Sequence, residues 1–255
     1  MTRENLAMVW ALIARAKNEI VRVPAAAIPG VLAPTIFFLG LVAVFGNLTL
    51  LPGFDADRYQ SFLIPVSLLQ GAGFTGAATG VNLARDIEAG WFDRILVSPA
   101  PRWVLLIGIV SSASARALIP ATFLLAIAIP LGAHFPGVDG LALSALIVMA
   151  MAAGAACWGT MLALKYKTQG AAPLMQAGMF MLILTTTAYA PQELLTGWLY
   201  TVAKYNPVTQ VVEAARQGYV GPITWAGTWP GLLALAGLIA GLATLALRGM
   251  RRMAV

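Results

Sequence analysis

The chain has 255 residues, of which 60% are hydrophobic and only 10% are charged, and its mean hydropathy is +0.82. Soluble domains carry about a quarter charged residues, so this composition excludes an ordinary soluble protein and indicates a membrane protein. The net charge of +6 does not indicate nucleic-acid binding by itself, because cytoplasmic loops of membrane proteins are rich in Lys and Arg. One cysteine and one histidine exclude an internal disulfide, a Cys-based metal site and a His cluster.

The residues from Met1 to Val23 are predicted to form an amphipathic helix on the inner membrane surface. Apolar side chains recur there at helical spacing, and basic residues outnumber acidic ones. Trp10 favours this interfacial position over the alternative, an ordinary solvated helix. No signal-peptide pattern is present, so the first long apolar run is expected to stay in the protein as its first membrane span.

Six apolar stretches are predicted to cross the membrane, because each approaches or exceeds the roughly 20 residues that a helical span needs. The polar segments between them hold most of the charged residues and several glycines and prolines. The third stretch is interrupted by Pro120 and Pro130, so an interfacial helical segment is expected to precede the span itself. The predicted spans are about 25–45, Tyr59–Ala84, about 117–133, Gly140–Leu164, Gly170–Ala190 and Trp229–Leu247.

Arg116 is the one charged residue inside an otherwise apolar run that extends from Val104 to Ala133. With the third span beginning after it, Arg116 is expected to lie near the inner boundary and to extend its charge toward the interface. The alternative is an intramembrane charge that serves a substrate.

The second predicted span is unusually rich in glycine. The spacing of Gly76 and Gly80 puts small residues on one face, where another helix can approach closely. Gly73 in the same span, with Met179 and Phe180 in the fifth, is expected to line the translocation path, since methionine offers an adaptable apolar surface. Plain packing or lipid contact is an equal alternative for the methionines.

The segment from Pro191 to Pro222 differs from the rest of the chain. It is too polar to span the membrane and too aromatic for a solvated loop, and its two helix-like pieces are separated by Asn206-Pro207. It is therefore predicted to be a re-entrant pair of short helices in the outer interface. The residues singled out in this pair are Asn206, Pro207, Glu213 and Arg216.

The distribution of basic residues predicts the orientation. Six spans put both termini on one side, and twelve of the sixteen basic residues then lie on that side against three on the other, with Arg116 unassigned. Because Lys and Arg are enriched in cytoplasmic loops, both termini are predicted to be cytoplasmic. The twelve are Arg3, Arg15, Lys17, Arg22, Arg85, Arg94, Arg102, Lys165, Lys167, Arg248, Arg251 and Arg252, and the three are Arg58, Lys204 and Arg216.

The sequence shows no pattern for catalysis or for nucleotide binding. It has no nucleophile–base constellation, no metal-ligand spacing and no Gly-Lys dipeptide, so the phosphate-binding loop is absent. The apolar runs carry no carboxylate of the kind that ion-coupled carriers use. A separate partner is thus the expected energy source, and the alternatives are a secondary transporter or channel without ATP, a membrane-embedded enzyme and an insertion factor.

The most informative stretch is the polar island from Leu83 to Trp103, which carries six charged residues between long apolar runs. Its run DIEAGWFDRILVSPAPR, followed by Leu106-Ile-Gly108, resembles the cytoplasmic segment between the second and third spans of type 2 ABC exporter permeases. The run YNPVT from Tyr205, with Glu213-Ala-Ala-Arg216, is similar to the element before the last span of that family. The resemblance looks closest to the daunorubicin and multidrug-resistance branch, from which Ile109 departs because a basic residue is common there.

The resemblance implies an all-α membrane protein in which residues 1–255 form one exporter transmembrane domain. It implies a permease subunit that is not itself an enzyme and that carries no cofactor, with ATP and Mg²⁺ held by separate ATPase subunits. The other implied partners are a second permease copy or a homologous permease and membrane lipid, with no nucleic acid. The expected location is a bacterial-type cytoplasmic (inner) membrane, and the expected cargo is a hydrophobic or amphipathic molecule moved outward.

Within the polar island, a short coupling helix is predicted from about Asp86 to Val97, ended by Pro99 and Pro101. Acidic residues in its first turn would suit the N-terminal helix dipole. Its apolar face would enter a groove on the ATPase, and its arginines would meet carboxylates there. The predicted ATPase-coupling residues are Asp86, Glu88, Gly90, Trp91, Arg94, Pro99 and Arg102.

Overall fold

The computed structural model of the chain describes residues 10, 11, 14, 28–52, 54, 56–92 and 101–253. Within those residues it contains eight α-helices and no β-strand. Trp10, Ala11 and Ala14 are helical, and the rest of the predicted N-terminal helix lies outside the described residues. The helices are α1 (Ile28–Phe45), α2 (Tyr59–Glu88), α3 (Arg102–Ala128), α4 (Gly137–Tyr166), α5 (Ala172–Leu184), α6 (Gly197–Tyr205), α7 (Pro207–Arg216) and α8 (Trp225–Arg252).

Five helices in the described part of the chain are long and apolar enough to cross a membrane. They are α1 with the 3₁₀ turn that follows it, α2, α3, α4 and α8. A helix of 30 residues, such as α2 or α4, is about 45 Å long, which exceeds the roughly 30 Å hydrocarbon core. The protein is therefore a multi-pass membrane protein.

The central element is α2, which is buried over most of its length and packs against α1, α3, α4 and α5. Tyr59, Leu63 and Leu69 on this helix have no exposed surface. The outer helices α1 and α8 instead leave large apolar side chains exposed, among them Ile36 and Leu233. Such side chains suit contact with lipid or with another apolar partner.

The third predicted span is longer than expected and has no separate interfacial segment. Instead of beginning near residue 117, α3 runs without a break from Arg102 to Ala128 and contains Pro120. Proline removes one backbone hydrogen bond, and apolar helices packed among neighbours tolerate that loss. The predicted extension to residue 133 is also wrong, because the chain turns before Pro130 and Gly132 takes a φ of 102°.

The fifth predicted span, Gly170–Ala190, is an α-helix only from Ala172 to Leu184. At 13 residues, α5 is about 20 Å long and does not cross the hydrocarbon core by itself. Thr185 and Thr186 follow it, and their hydroxyl groups donate to the carbonyls of Met181 (2.9 Å) and Ile183 (2.7 Å). Threonine side chains that bond back to the helix compete with its continuation, so the chain leaves the helix here.

The run from Gln169 to Tyr189 nevertheless extends from one end of α2 to the other. Gln169 lies beside Glu88, the last residue of α2, and the carbonyl of Tyr189 accepts a hydrogen bond from the hydroxyl of Tyr59, the first residue of α2, at 3.1 Å. The end of the bundle that holds Glu88 is called the Glu88 end below. The opposite end holds Tyr59 and also Arg216, which bonds to Phe62, and is called the Arg216 end. The C-terminus of α8 lies at the Glu88 end, since Gly249 packs against Leu164 near the end of α4.

Candidate functional site

The glycine face of α2 lies against α4. A Cβ atom on Gly76 would come within 2.5 Å of the Ala152 carbonyl oxygen and of the Ala155 Cβ, and a Cβ on Gly80 would overlap the backbone of Gly159. No side chain fits at either position without moving the helices apart. These glycines therefore form a close packing contact between α2 and α4.

Gly73 lies on a different face and meets α5. A Cβ atom placed on Gly73 would lie 3.7 Å from the Cβ of Met179, whose side chain is buried. Next to this contact, the ring of Phe180 stacks on the ring of Phe74, with centroids 6.0 Å apart. The gap between the two helices at this point leaves no room for a water molecule. The residues predicted to line the translocation path are thus brought together, in a closed packing contact between α2 and α5.

The polar island begins inside α2, which corrects the predicted coupling helix. Asp86 and Glu88 lie in the last turn of the long helix, not in the first turn of a new one, so the expected favourable interaction with an N-terminal dipole is wrong. No residue before Glu88 stops the helix, whereas Gly90 takes a φ of 68° and ends it. Nothing lies within 4 Å of a Cβ placed on Gly90, so the turn is open on its outer side.

Glu88 bonds within the chain. One carboxylate oxygen accepts hydrogen bonds from the Thr168 hydroxyl (2.7 Å) and from the Gln169 backbone N–H (3.1 Å). The other oxygen accepts from the Gln169 side-chain amide at 2.6 Å. Gln169 begins the 3₁₀ turn Gln169–Ala171 that leads directly into α5, where N–H groups lack helical partners. Glu88 therefore ties the end of α2 to the start of α5.

The rest of the polar island is only partly described. Trp91 and Phe92 are helical; Trp91 is exposed and Phe92 is buried. Arg102 begins α3 at the same end of the bundle. Arg94 and Pro99 lie outside the described residues. Of the predicted coupling residues, the structure therefore describes only those up to Trp91 and Arg102.

Arg116 lies in the middle of α3 rather than at its beginning, and it is partly buried. Its Nη2 donates a hydrogen bond to the Thr79 hydroxyl at 2.6 Å. Arg116 therefore links α3 to the glycine face of α2.

At the opposite end, Arg216 is buried and gathers three segments of the chain. Its Nε donates to the Phe62 carbonyl (3.3 Å), and its guanidinium carbon lies 3.6 Å from the centre of the Phe62 ring. Nη1 donates to Glu213 (2.7 Å) and to the Thr187 hydroxyl (3.3 Å), and Nη2 donates to the carbonyls of Thr187 and Ala188. Burial lowers the pKa of Arg216, and the charge of Glu213 opposes that effect. All five N–H donors of the guanidinium are thereby used.

Asn206 joins α5 to α7. Its side-chain oxygen accepts from the Val208 N–H at 2.9 Å as the N-cap of α7, with Pro207 at the first helical position. Its side-chain amide donates to the Leu182 carbonyl (2.8 Å) and to the Thr185 hydroxyl (3.1 Å), at the C-terminal end of α5. A single amide therefore satisfies groups at the ends of two helices.

Sequence reasoning missed three side chains, which are Gln70, Tyr189 and Thr187. Tyr189 accepts a hydrogen bond on its hydroxyl from the buried amide of Gln70 at 2.7 Å, and Thr187 donates to Glu213 at 2.5 Å. Gln70 is a long polar side chain in the middle of a charge-free run, which is a signal that could have been used. The run of threonines that includes Thr187 gave a second signal, because threonines tend to interrupt or bend apolar helices.

Two cavities open at the Arg216 end. The cavity of about 540 Å³ lies beside Asp57, Arg58 and His134, and the cavity of about 380 Å³ lies beside Glu213 and Arg216. Across the ranges that the structure covers, no three His, Cys, Asp or Glu side chains are grouped so that they could hold a metal ion.

With this geometry in view, comparison with known families decides the identity. A family model described as ABC-2 type transporter matches residues 7–220. The chain belongs to the ABC-2 type transporter family. This family member is therefore a transport permease subunit of an ABC transporter, and the resemblance found in the polar island is confirmed.

Relatives of this ABC-2 protein have related names. A putative transport permease, ycf38 of Cyanophora paradoxa, is 26% identical over 81% of this chain and 72% of its own length. The probable multidrug ABC transporter permease YbhR of Escherichia coli K12 is 27% identical over 70% of this chain and 50% of its own length. The daunorubicin resistance ABC transporter permease protein DrrB1 of Streptomyces coeruleorubidus is 24% identical over 92% of this chain and 82% of its own length.

Proposed function

We propose that this permease exports a hydrophobic or amphipathic molecule across a bacterial-type cytoplasmic membrane, driven by separate ATPase subunits that bind the Glu88 end. Family membership supports the ATPase partnership, and the printed names of YbhR and DrrB1 refer to multidrug transport and to daunorubicin resistance. The cargo of this chain is then a drug-like or lipid-like molecule. A second copy, or a homologous permease, completes the membrane assembly.

The observation that carries the proposal is the bond between Glu88 and Gln169. Glu88 ends α2 two residues before the Gly90 turn, and Gln169 begins the run into α5. A movement of the polar island driven by the ATPase reaches α5 through this contact. Asn206 and Arg216 hold the far end of the same run, so α5 and the residues after it connect the ATPase side to the re-entrant pair. ATP can shift the permease between two conformations only to the extent that the ATPase binds one of them more tightly than the other.

Basic side chains support the orientation with the Glu88 end in the cytoplasm. Seven of them belong to segments at that end, against three at the Arg216 end. Cytoplasmic surfaces carry the excess of Lys and Arg. The run from Gln169 to Tyr189 makes the remaining crossing in this proposal, which puts both termini on the cytoplasmic side. The seven are Arg85, Arg102, Lys165, Lys167, Arg248, Arg251 and Arg252.

The exposed aromatic residues support an interfacial position for the re-entrant pair. Trp198 and Tyr205 on α6 and Trp225 at the start of α8 all project large, exposed side chains at the Arg216 end. Tyr and Trp are enriched where the hydrocarbon meets the head groups. In this proposal α6 and α7 form the outer face of the permease, above the closed contact between α2 and α5.

The test is reconstitution of the permease in liposomes with the ATPase encoded by the neighbouring reading frame. Uptake of a fluorescent amphipathic dye is expected only with the ATPase and ATP, and Glu88→Ala with Trp91→Ala is expected to abolish stimulation of hydrolysis by the permease. Glu193→Ala with Trp198→Ala, the same pair of residue types at the Arg216 end, serves as the control. Transport without any ATPase would instead establish a secondary transporter or channel.

A further inference from the structure

The cavity of about 380 Å³ at the Arg216 end lies between the start of α2, the α7 helix and the segment that follows Tyr189. Phe62, Pro191 and Val220 give it an apolar wall. Glu213, Gln192 and Gln210 give it a polar one. A cavity of this size with an apolar wall and convergent polar groups is typical of small-molecule sites.

Arg216 cannot serve the cavity as an anion-binding group, although it lines it. Its five N–H donors are committed to Phe62, Thr187, Ala188 and Glu213. Among the described residues that line the cavity, Arg216 is the one basic side chain. A phosphate or carboxylate would therefore meet no available cation here.

Glu213 remains available. Both of its described hydrogen bonds, from Thr187 and Arg216, go to the same oxygen, Oε1. The side chain is 46% exposed, so the carboxylate faces the cavity while it stays bound to Arg216. Three backbone carbonyls, of Phe62, Thr187 and Ala188, also accept hydrogen bonds from Arg216, and Glu213 is its charged partner among the described residues, so Oε2 is the part of Glu213 that can bond a ligand.

We propose that this cavity binds an organic ammonium group carried on an apolar body, with Oε2 of Glu213 as the acceptor of its first N–H donor. Pro191 and Val220 receive the apolar part, and the amide oxygens of Gln192 and Gln210 accept the remaining N–H donors. A zwitterionic lipid head group fits less well, because its phosphate would lack a cation. The inference rests on the proposed function only where it identifies the bound molecule as cargo, and it names that cargo as an amphipathic amine.

The experiment measures binding to purified permease in nanodiscs of phosphatidylcholine and phosphatidylglycerol, with no ATPase and no ATP. The probe is a fluorescent long-chain primary amine, and the matched alcohol is the reference. Fluorescence anisotropy is expected to show that the amine binds and that the alcohol binds at least about tenfold more weakly, because the alcohol lacks the hydrogen bond between charged groups. Glu213→Gln is expected to weaken amine binding by about tenfold and to leave alcohol binding unchanged.

Two further variants separate loss of the site from loss of the fold. Gln210→Trp fills the cavity from an exposed position without altering the bonds of Arg216, and it is expected to abolish binding of the amine. Glu193→Gln removes the same charge from the same end of the bundle, outside the cavity, and is expected to bind like the parent protein. Equal binding of amine and alcohol, or full amine binding by Gln210→Trp, would overturn the proposal.

The source of the ammonium group is distinguished by adding phosphatidylethanolamine to the nanodiscs. If the probe stays bound, the result supports an amphipathic amine as the ligand. If this lipid displaces the probe, the proposal is overturned, because the cavity then binds a lipid head group. Because the assay contains no ATPase, amine binding with no ATP-driven transport would count against the proposed function alone. ATP-driven transport of a dye with no amine binding would count against the cavity alone.

Discussion

At the scale of single residues, polar side chains at the ends of the helices hold the apolar bundle together. Glu88, Asn206 and Arg216 each accept or donate several hydrogen bonds to segments far away in sequence. A polar group buried without a partner costs free energy, and Asn206 and Arg216 satisfy several such groups at once, whereas the bonds of Glu88 lie at the surface. Their removal therefore affects more than one helix.

Arg216→Met is expected to destabilise the protein by about 3–5 kcal/mol, because removal of one partner leaves Glu213 and nearby carbonyls without their donor. Arg216→Lys is expected to recover only part of this loss, since a lysine cannot supply five donors in a planar arrangement. Thermal unfolding of the detergent-solubilised protein measures both. Lys204→Met, at an exposed position of α6, is the control, and an equal effect of the two methionine variants would refute this account of Arg216.

Asn206→Ala removes an N-cap and two bonds to the end of α5, so we expect a loss of about 1–2 kcal/mol of stability. Asn206→Asp keeps the acceptor for Val208 but loses the amide donor to Leu182. If the connection to α5 contributes to stability, the free energy of unfolding of the Asp variant, measured by chemical denaturation, must lie between those of the parent protein and the Ala variant. An aspartate variant as stable as the parent would show that only the N-cap contributes.

At the scale of elements, the contact between α2 and α4 depends on the absence of side chains. Gly80→Ala is expected to destabilise by about 1–3 kcal/mol, because the added methyl group overlaps the Gly159 backbone and forces the helices apart. Gly40→Ala in α1 is the matched control, since nothing lies within 4 Å of a Cβ there and alanine favours helix. Melting temperatures that fall equally for both would contradict the close contact.

Hydropathy predicted most elements but could not locate the end of α5. Long apolar runs identify α1, α2, α4 and α8 because the length of a span is imposed by the bilayer. The end of α5 at Leu184 follows from Thr185 and Thr186, which hydropathy does not register, and its free carbonyls are bonded by Asn206, more than 20 residues further along the chain. The end of α2 is marked locally by Gly90, but the bonds of its last residue Glu88 to Thr168 and Gln169, some 80 residues away, could not be predicted.

The family motifs identified the family, but they did not predict the contacts that their residues make. The polar island and the Asn206-Pro207 and Glu213–Arg216 runs were all identified as important from the sequence. The sequence assigned Glu88 to contact with an ATPase, whereas its carboxylate bonds within the chain. A short acidic motif does not distinguish an internal bond from an external one, because both need the same residue type.

At the scale of the whole molecule, the run from Gln169 to Tyr189 is bound at both ends. The Glu88 end is joined through Gln169, and the Arg216 end through Asn206 and Tyr59. The closed contact of Met179 and Phe180 with α2 lies between these ends. In this account, opening that contact is what a partner ATPase does when it moves the polar island.

The most direct test of this account is the amount of dye transported for each ATP hydrolysed, in liposomes that contain the permease and its ATPase. Glu88→Ala is expected to keep ATPase binding and hydrolysis while transport for each ATP falls by about tenfold, since movement of the polar island no longer reaches α5. Glu193→Ala should leave the ratio unchanged. An unchanged ratio in Glu88→Ala would contradict the account.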